Sequence, residues 1–447
     1  MTNQSHENQY ALHLTNLGES KEILASEDIY NQQGALLVKK GAPINQRVSD
    51  QIVKFKLLNP IENSINISDS VTPNQLLDDL NSLLQHHPAI LNTHQKIGME
   101  RLFEDHIQLL SSFPLVLQKL TVMREQLNRI YRNTLAVTWL SLAIAKKMGD
   151  STISTKDCFF AAICHDFGML HINTDVISKT ESLTPEEWRQ IQSHTVIGKK
   201  LVDNIPKINK KVGRIILEHH ERCDGTGYPL GKFQDKLTKE SQIIAFCDSV
   251  VSVFNRRQKL KENSIRDLMP FLQVNSESHF YQTYAAMTSL LRLVTIEEDS
   301  FINHKNVATE IENLRTLGYD INAYIECLNT LNSKGIFLAN KPAIASVPTI
   351  LGQVTKIIRG SGVLDQGYIR WLDQVKSHKL EHAYREVADV SLMLTELKWH
   401  LERAVKILES YIDIEPESDL IKTITEALKN IINKEEQPND YDDYAIA

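Results

Sequence analysis

Two adjacent histidines, His219 and His220, stand directly before a glycine-rich turn in the stretch EHHERCDGTGYP, Glu218 to Pro229. Neighbouring residues on a helix point about 100° apart, so one core-facing imidazole accounts for only one of them. Either the other is solvated, or both converge on a shared ligand. The same region carries His165 and Asp166 in AAICHDFGMLHI, His194 in QIQSHTVIGKKL and Asp248 in IIAFCDSVVSV. Imidazole suits iron, manganese, zinc or nickel, and a carboxylate between two sites can bridge a pair of cations. Two cations about 3.5–4 Å apart polarise a phosphodiester and activate a water molecule at neutral pH. A lone His-Asp dipeptide arises by chance, and a lone histidine such as His194 is more often a surface residue. The ordered set H-D, H, H-H and D on successive helices is a far more specific signal.

Ligands from several segments need rigid elements to hold them. From Pro73 onward almost every segment has helical periodicity: NQLLDDLNSLLQ, RLFEDHIQLL, and one run from about Leu115 to Met148 that stops at Gly149. Before it, NQQGALLVKKGAPI (Asn31–Ile44) reads as a small hairpin followed by a helix from about Asn45 to Lys56. Between Lys379 and Tyr411, Leu380, Tyr384, Val387, Leu394, Leu401, Val405 and Leu408 fall on a heptad stripe, which reads as bundle core or a dimerising helix. The expected fold is mainly α. It comprises a small α/β N-terminal module over 1–68, a helical connector over 69–114, a central helical domain over 115–296, a helical bundle over 297–434 and a disordered acidic tail over 435–447.

The 447 residues carry a formal net charge of −7, with 42% hydrophobic and 23% charged residues. That balance argues against general affinity for DNA or anionic membranes, which call for basic patches. An anionic ligand needs a local remedy such as metal ions. The first residues lack a signal peptide's basic and apolar runs, and no apolar stretch approaches about 18 residues, so a cytoplasmic location is expected. The five cysteines form no C-x-x-C pair and read as reduced thiols.

Taken together, HDFGMLHINTDVISKTESLTPEEWRQIQSHTVIGKKLV, HHERCDGTGYPLGKF and IIAFCDSVV resemble the HD-GYP branch of the HD-domain metal-dependent phosphohydrolases over about 115–296. The resemblance implies an all-helical HD-domain bundle with two divalent metal ions, iron or manganese, acting on cyclic di-GMP in bacterial signalling, and a catalytic role for His165 and Asp166. It further implies that His165, Asp166 and Asp248 hold one metal, while Asp166 bridges to a second held by His194, His219 and His220. Gly227, Tyr228 and Pro229 match the signature turn beside the substrate groove, and Glu221 and Asp224 belong to the same motif. The chain departs from the family pattern at four places. Asn133, a weak amide ligand, occupies the first metal histidine's position, and Arg129 stands where some members carry a third-metal glutamate. Met169 replaces a lysine, and Gln242 replaces an arginine. Lys179, Lys199, Lys200 or Arg222 are candidates for the missing positive charge, and His171 is a candidate for the groove. Two functions are expected from this pattern: a weak cyclic di-GMP phosphodiesterase, or an inactive module holding one metal, a nucleotide or a signalling partner without turnover. By analogy, the C-terminal helices are expected to form a homodimer.

Overall fold

The computed structural model describes residues 3–180, 183–259, 265–276, 278–293, 303, 305–337, 344–414 and 419–432; the acidic tail expected over 435–447 lies outside them. The N-terminal part holds α1 (Asn3–Leu17), the strands β1 (Ile23–Ala25), β2 (Ile29–Tyr30) and β3 (Leu36–Val38), α2 (Gln46–Lys54) and β4 (Ile65–Ile67). β1 pairs antiparallel with β4, Ile23 opposite Ile67, and β2 pairs antiparallel with β3, Ile29 opposite Val38. The expected hairpin is present, turning through Gly34 at φ +81°.

Next come α3 (Pro73–Gln85), α4 (Pro88–Lys96) and α5 (Met99–Gln108). Thr72 and Gln75 form a capping box at the start of α3, with Pro73 in its first turn, satisfying donors that a helix N-terminus leaves open. The run expected as one helix is two, α6 (Pro114–Gln126) and α7 (Asn128–Met148), broken at Leu127 with φ −131° and ψ 52°. α7 stops where expected, with Gly149 left-handed at φ +61°.

The metal-type residues lie on or between the next six helices: α8 (Thr155–Cys164), α9 (Thr174–Ile177), α10 (Pro185–Gln192), α11 (His194–Asp203), α12 (Lys210–Glu218) and α13 (Lys239–Lys259). α14 (Leu268–Val274) and α15 (Tyr281–Leu291) complete this part. The last bundle is α16 (Val307–Ser333), α17 (Val347–Ser361), α18 (Gln366–His378), α19 (Tyr384–Ile414) and α20 (Asp419–Ile432).

One continuous hydrophobic core runs from Tyr10 to Leu291, so the N-terminal segment packs into the helices C-terminal to it. α1 lies against α6 and against the turn after Asp166. A buried polar cluster fastens this seam. Lys119 of α6 places Nζ 3.3 Å from Glu62 Oε1, His171 Nε2 stands 3.8 Å from the same oxygen, and the Lys119 ammonium sits 4.8 Å from the Tyr10 ring centroid. Both Lys119 and Glu62 are buried, at 2% and 4% exposure.

A second core is built from α16 to α20. The heptad stripe of α19 serves it: Val387, Leu394, Leu401 and Leu408 are all fully buried within this bundle. The stripe is therefore bundle core, and its apolar face is not left open for a second copy. The two cores meet along α14 and α19. There Arg385 pairs with Asp267 at 2.6 Å, and the Asn275 side chain joins Glu396 at 2.9 Å and His400 at 3.1 Å.

Candidate metal centre

His165 caps the C-terminus of α8 and Asp166 starts the tight turn after it; His194 opens α11, His219 caps α12 with His220 next, and Asp248 lies mid-way along α13. All six are buried. Three imidazoles are held the same way. His165 Nδ1 lies 2.7 Å from the Ala162 carbonyl, His194 Nδ1 2.7 Å from that of Ile191, and His219 Nδ1 2.6 Å from that of Ile216. A carbonyl only accepts, so in each neutral ring the proton sits on Nδ1, leaving Nε2 with its lone pair. This is how a metal-binding imidazole is oriented by its backbone partner.

The free ends converge. His194 Nε2 and His219 Nε2 stand 3.2 Å apart, a contact between two lone pairs that a shared cation would relieve. Asp166 faces two rings, Oδ2 at 3.1 Å from His165 Nε2 and Oδ1 at 3.5 Å from His194 Nε2. Asp248 also faces two, Oδ1 at 3.9 Å from His165 Nε2 and Oδ2 at 3.7 Å from His220 Nδ1. Among the described residues, two sets have ligand atoms within 4.8 Å of one another: His194, His219 and His220, and His165, Asp166 and His219. His219 belongs to both.

Electrostatics suit cations. Burial, and next the neighbouring His165 and His194, hold His219 well below the ordinary histidine value; burial, with His219 and His194, does the same for His220. Neutral imidazole is the form that ligates. Burial acts downward on His165 too, but Asp166 and Asp248 outweigh it and raise the ring to about 9. Burial raises the Asp248 carboxyl to about 6 against the pull of His165. Asp166 lies below the ordinary aspartate value because its histidine neighbours outweigh its burial. Two anchored neutral rings with inward lone pairs, His194 and His219, a third anchored ring, His165, which would give up its proton to a metal, a fourth ring and two carboxylates form a donor set that fits divalent cations.

Two glycines permit the assembly. A Cβ on Gly168 would collide with the backbone carbonyl of His194, and one on Gly227 with the backbone of His220, Glu221 and Arg222. Gly168→Ala is expected to push α11 away from the His-Asp turn, costing about 1–3 kcal/mol by overpacking and reducing metal content. Unfolding in urea and metal analysis of the purified variant check both effects.

The remaining motif residues organise the turn. Tyr228 stacks on His220 with ring centroids 4.7 Å apart and planes 20° apart, Trp188 of α10 meets Tyr228 edge-on at 5.7 Å, and the Tyr228–Pro229 bond is cis. Glu221 accepts the backbone N–H of Leu230 and Lys232 at 2.7 and 2.8 Å, tying the far end of the turn to the histidine pair. Asp224 accepts from Thr226, Ser278 and Gln353. Both acids have structural work.

Three other candidates are engaged with other partners. Asn133 Oδ1 accepts from Asn255 Nδ2 at 2.7 Å. Asn133 lines a cavity of about 480 Å³ with residues such as Leu84, Trp139 and Phe254, and none of the six His and Asp residues lines it. His171 is packed under Tyr10 of α1, which stacks on it at 5.3 Å, and Glu62 faces it. Lys179 Nζ is bound to both oxygens of Glu187, at 2.7 and 2.9 Å, at the start of α10. Met169 is buried in the core, and the Gln242 side-chain oxygen accepts from the Cys223 thiol.

Residues 107–283 match the HD domain family. Over this segment, less than half of its length, the chain is similar to HD domains. It is 33% identical over 159 residues to a cyclic di-GMP phosphodiesterase of Thermotoga maritima, 35% of this chain and 43% of that one. It is 28% identical over 118 residues to a cyclic di-GMP phosphodiesterase of Pseudomonas aeruginosa, 26% and 28% of the two chains. A third relative is a 3'3'-cGAMP-specific phosphodiesterase of Vibrio cholerae, 33% identical over 88 residues, 20% and 19% of the two chains. The chain spans less than half the length of each of these relatives. Among its described residues, no helix is long and apolar enough to cross a membrane.

Proposed function

We propose that the protein is a metal-dependent phosphodiesterase of HD-GYP type that hydrolyses cyclic di-GMP. The observation that carries this reading is the buried ring of imidazoles whose Nδ1 atoms are held by backbone carbonyls while their Nε2 atoms face each other and Asp166. When two divalent cations, iron or manganese, are bound, they supply Lewis acidity toward the phosphodiester and an activated water.

The chain's own residues do the rest. His194 and His219 keep lone pairs aimed inward, and His165 would offer Nε2 once a metal displaces its proton. Asp166 lies between His165 and His194 and would hold metal beside both rings. Asp248 adds a second negative charge opposite His165 and His220. Tyr228 covers the face of His220 and fixes its plane, and Gly227 lets the turn close over that ring. Burial keeps bulk water from competing for these atoms and strengthens their electrostatics.

The test is metal content of protein purified without chelator, together with cyclic di-GMP turnover under manganese or anaerobic iron(II). The expected result is two metals per chain and release of linear pGpG. Two metals per chain with no product would sink the hydrolytic reading. The alternative, a module that binds nucleotide without turnover, is favoured by two observations: Asn133 is engaged with Asn255, and Met169 brings no charge to the site. Tight nucleotide binding with no product establishes that alternative.

A further inference from the structure

We infer that Arg222 and Arg403 together form an anion subsite beside the Gly-Tyr-Pro turn, so that the C-terminal bundle completes the nucleotide site by supplying a guanidinium for a phosphate group. Naming the anion as a nucleotide phosphate rests on the proposed function.

Arg403 belongs to α19, far along the chain from the metal-type residues. It reaches across the seam to the turn, donating from Nη2 to the Thr226 backbone carbonyl, with Nη1 3.5 Å from Thr226 Oγ1. The Trp399 ring lies beneath its guanidinium at 5.9 Å. Arg222, two residues after His220, donates to Ser249 Oγ at 2.8 Å, next to Asp248, and to the Glu221 carbonyl at 3.4 Å. Both side chains serve the same turn: Arg222 stands at its start and Arg403 binds Thr226 within it, two residues before Tyr228, the ring stacked on His220.

Their hydrogen-bond partners are neutral oxygens. Two carboxylates act on them from nearby: Asp248 on Arg222, and Asp224 on Arg403. The oxygens of Asp224 already accept other bonds, Oδ1 from Thr226 N and Oγ1 at 2.9 and 2.6 Å, and Oδ2 from Ser278 Oγ and Gln353 Nε2, both at 2.9 Å. Neither arginine forms an ion pair among the described residues. His279 and His400 also border this space; burial holds both below the ordinary histidine value, with Arg222 acting in the same direction on each. His279 Nδ1 is buried with no hydrogen-bond partner. Two guanidinium groups gathered in a largely desolvated seam repel, and burial with Arg222 pushes Arg403 down to about 10. An anion between them reverses that penalty, and a phosphate matches the planar fork of arginine.

The test uses the full chain loaded with manganese. Arg403→Gln keeps a donor for the Thr226 carbonyl and deletes the charge. The expected result is a rise of about 10- to 100-fold in both Kd and KM for cyclic di-GMP, with a smaller change in kcat. Arg403→Lys recovers part of the loss. Inorganic phosphate, which competes with nucleotide on the wild type, is expected to need at least about tenfold more to compete on Arg403→Gln. Unchanged binding in Arg403→Gln with a lowered Tm overturns the subsite and leaves Arg403 as a brace. If Arg403→Gln does not fold, Arg222→Gln is read in the same way. Weakened binding in the variant, alongside a wild type that never turns over, sinks the phosphodiesterase reading and supports the subsite. Equal turnover and KM in wild type and variant do the reverse.

Discussion

Asp166→Asn is expected to bind less than half of the wild-type metal and to hydrolyse cyclic di-GMP about 10³-fold more slowly, or worse. Asp166 is the carboxylate that faces rings on both sides, His165 at 3.1 Å and His194 at 3.5 Å. The imidazoles bring no negative charge, so replacing this carboxylate by an amide removes one of the two anions that would hold the cations. Asp166 is also a principal reason that His165 is raised to about 9. In the variant that ring falls toward the behaviour of a buried neutral histidine, so a protonated His165 does not explain a loss of metal. A thousandfold loss corresponds to about 4 kcal/mol of transition-state stabilisation, the scale expected when Lewis-acid chemistry is lost. Metal analysis and steady-state kinetics on the same preparation check the prediction. A variant that keeps two metals and turns over within tenfold of wild type would refute the central role of Asp166.

Asn133→Ala provides the contrast. Its amide is committed to Asn255 beside a separate cavity, so the variant is expected to retain full metal content. A fall in metal content would mean that Asn133 reaches the centre after all.

The centre was readable because its residues are polar in otherwise apolar helices. The pairs His165–Asp166 and His219–His220 interrupt runs such as AAIC and GRIIL, where a polar side chain needs a reason to be buried. Their grouping was harder to read. His219 belongs to both three-ligand sets because α12 ends between the His-Asp turn and α11, and that depends on packing, not on spacing. The surroundings of His171 were hidden for the same reason. It stands two residues after Met169, but α1 from the other end of the domain brings Tyr10 over its ring. α1 itself has buried apolar residues at Tyr10, Ala11, Leu14 and Leu17, confined to its second half, too short a stripe to announce a helix. The break at Leu127 carries neither glycine nor proline, so the apolar pattern runs through it. Arg403 lies in a region whose local sequence says only that a helix packs there.

The second large effect concerns stability. Lys119→Met is expected to destabilise the chain by about 3–5 kcal/mol, because it leaves the Glu62 carboxylate buried without its main counter-charge. Glu62 is 4% exposed, Lys119 Nζ is its closest cation at 3.3 Å, and His171 Nε2 is next at 3.8 Å. Burial alone would raise the Glu62 carboxyl; Lys119 first and His171 second more than cancel it, and the group ends below the ordinary glutamate value. A lowered folded value means that the pair contributes stability above the unfolded glutamate's titration, and loses it as pH falls through the folded one. Acid should therefore weaken the wild type through this cluster, while Glu62→Gln should lose that part of the pH dependence. Removing both charges is a different perturbation from removing one. Glu62→Gln combined with Lys119→Met is expected to recover most of the loss, since two neutral side chains leave no unpaired charge in the core. Urea unfolding of the wild type, the two single variants and the double variant closes the cycle. If the double variant is as unstable as the sum of the singles, the two groups act independently. The attachment of α1 to the turn that carries Asp166 would then have to rest on the Tyr10 and His171 stack and on apolar packing, with no contribution from the ion pair.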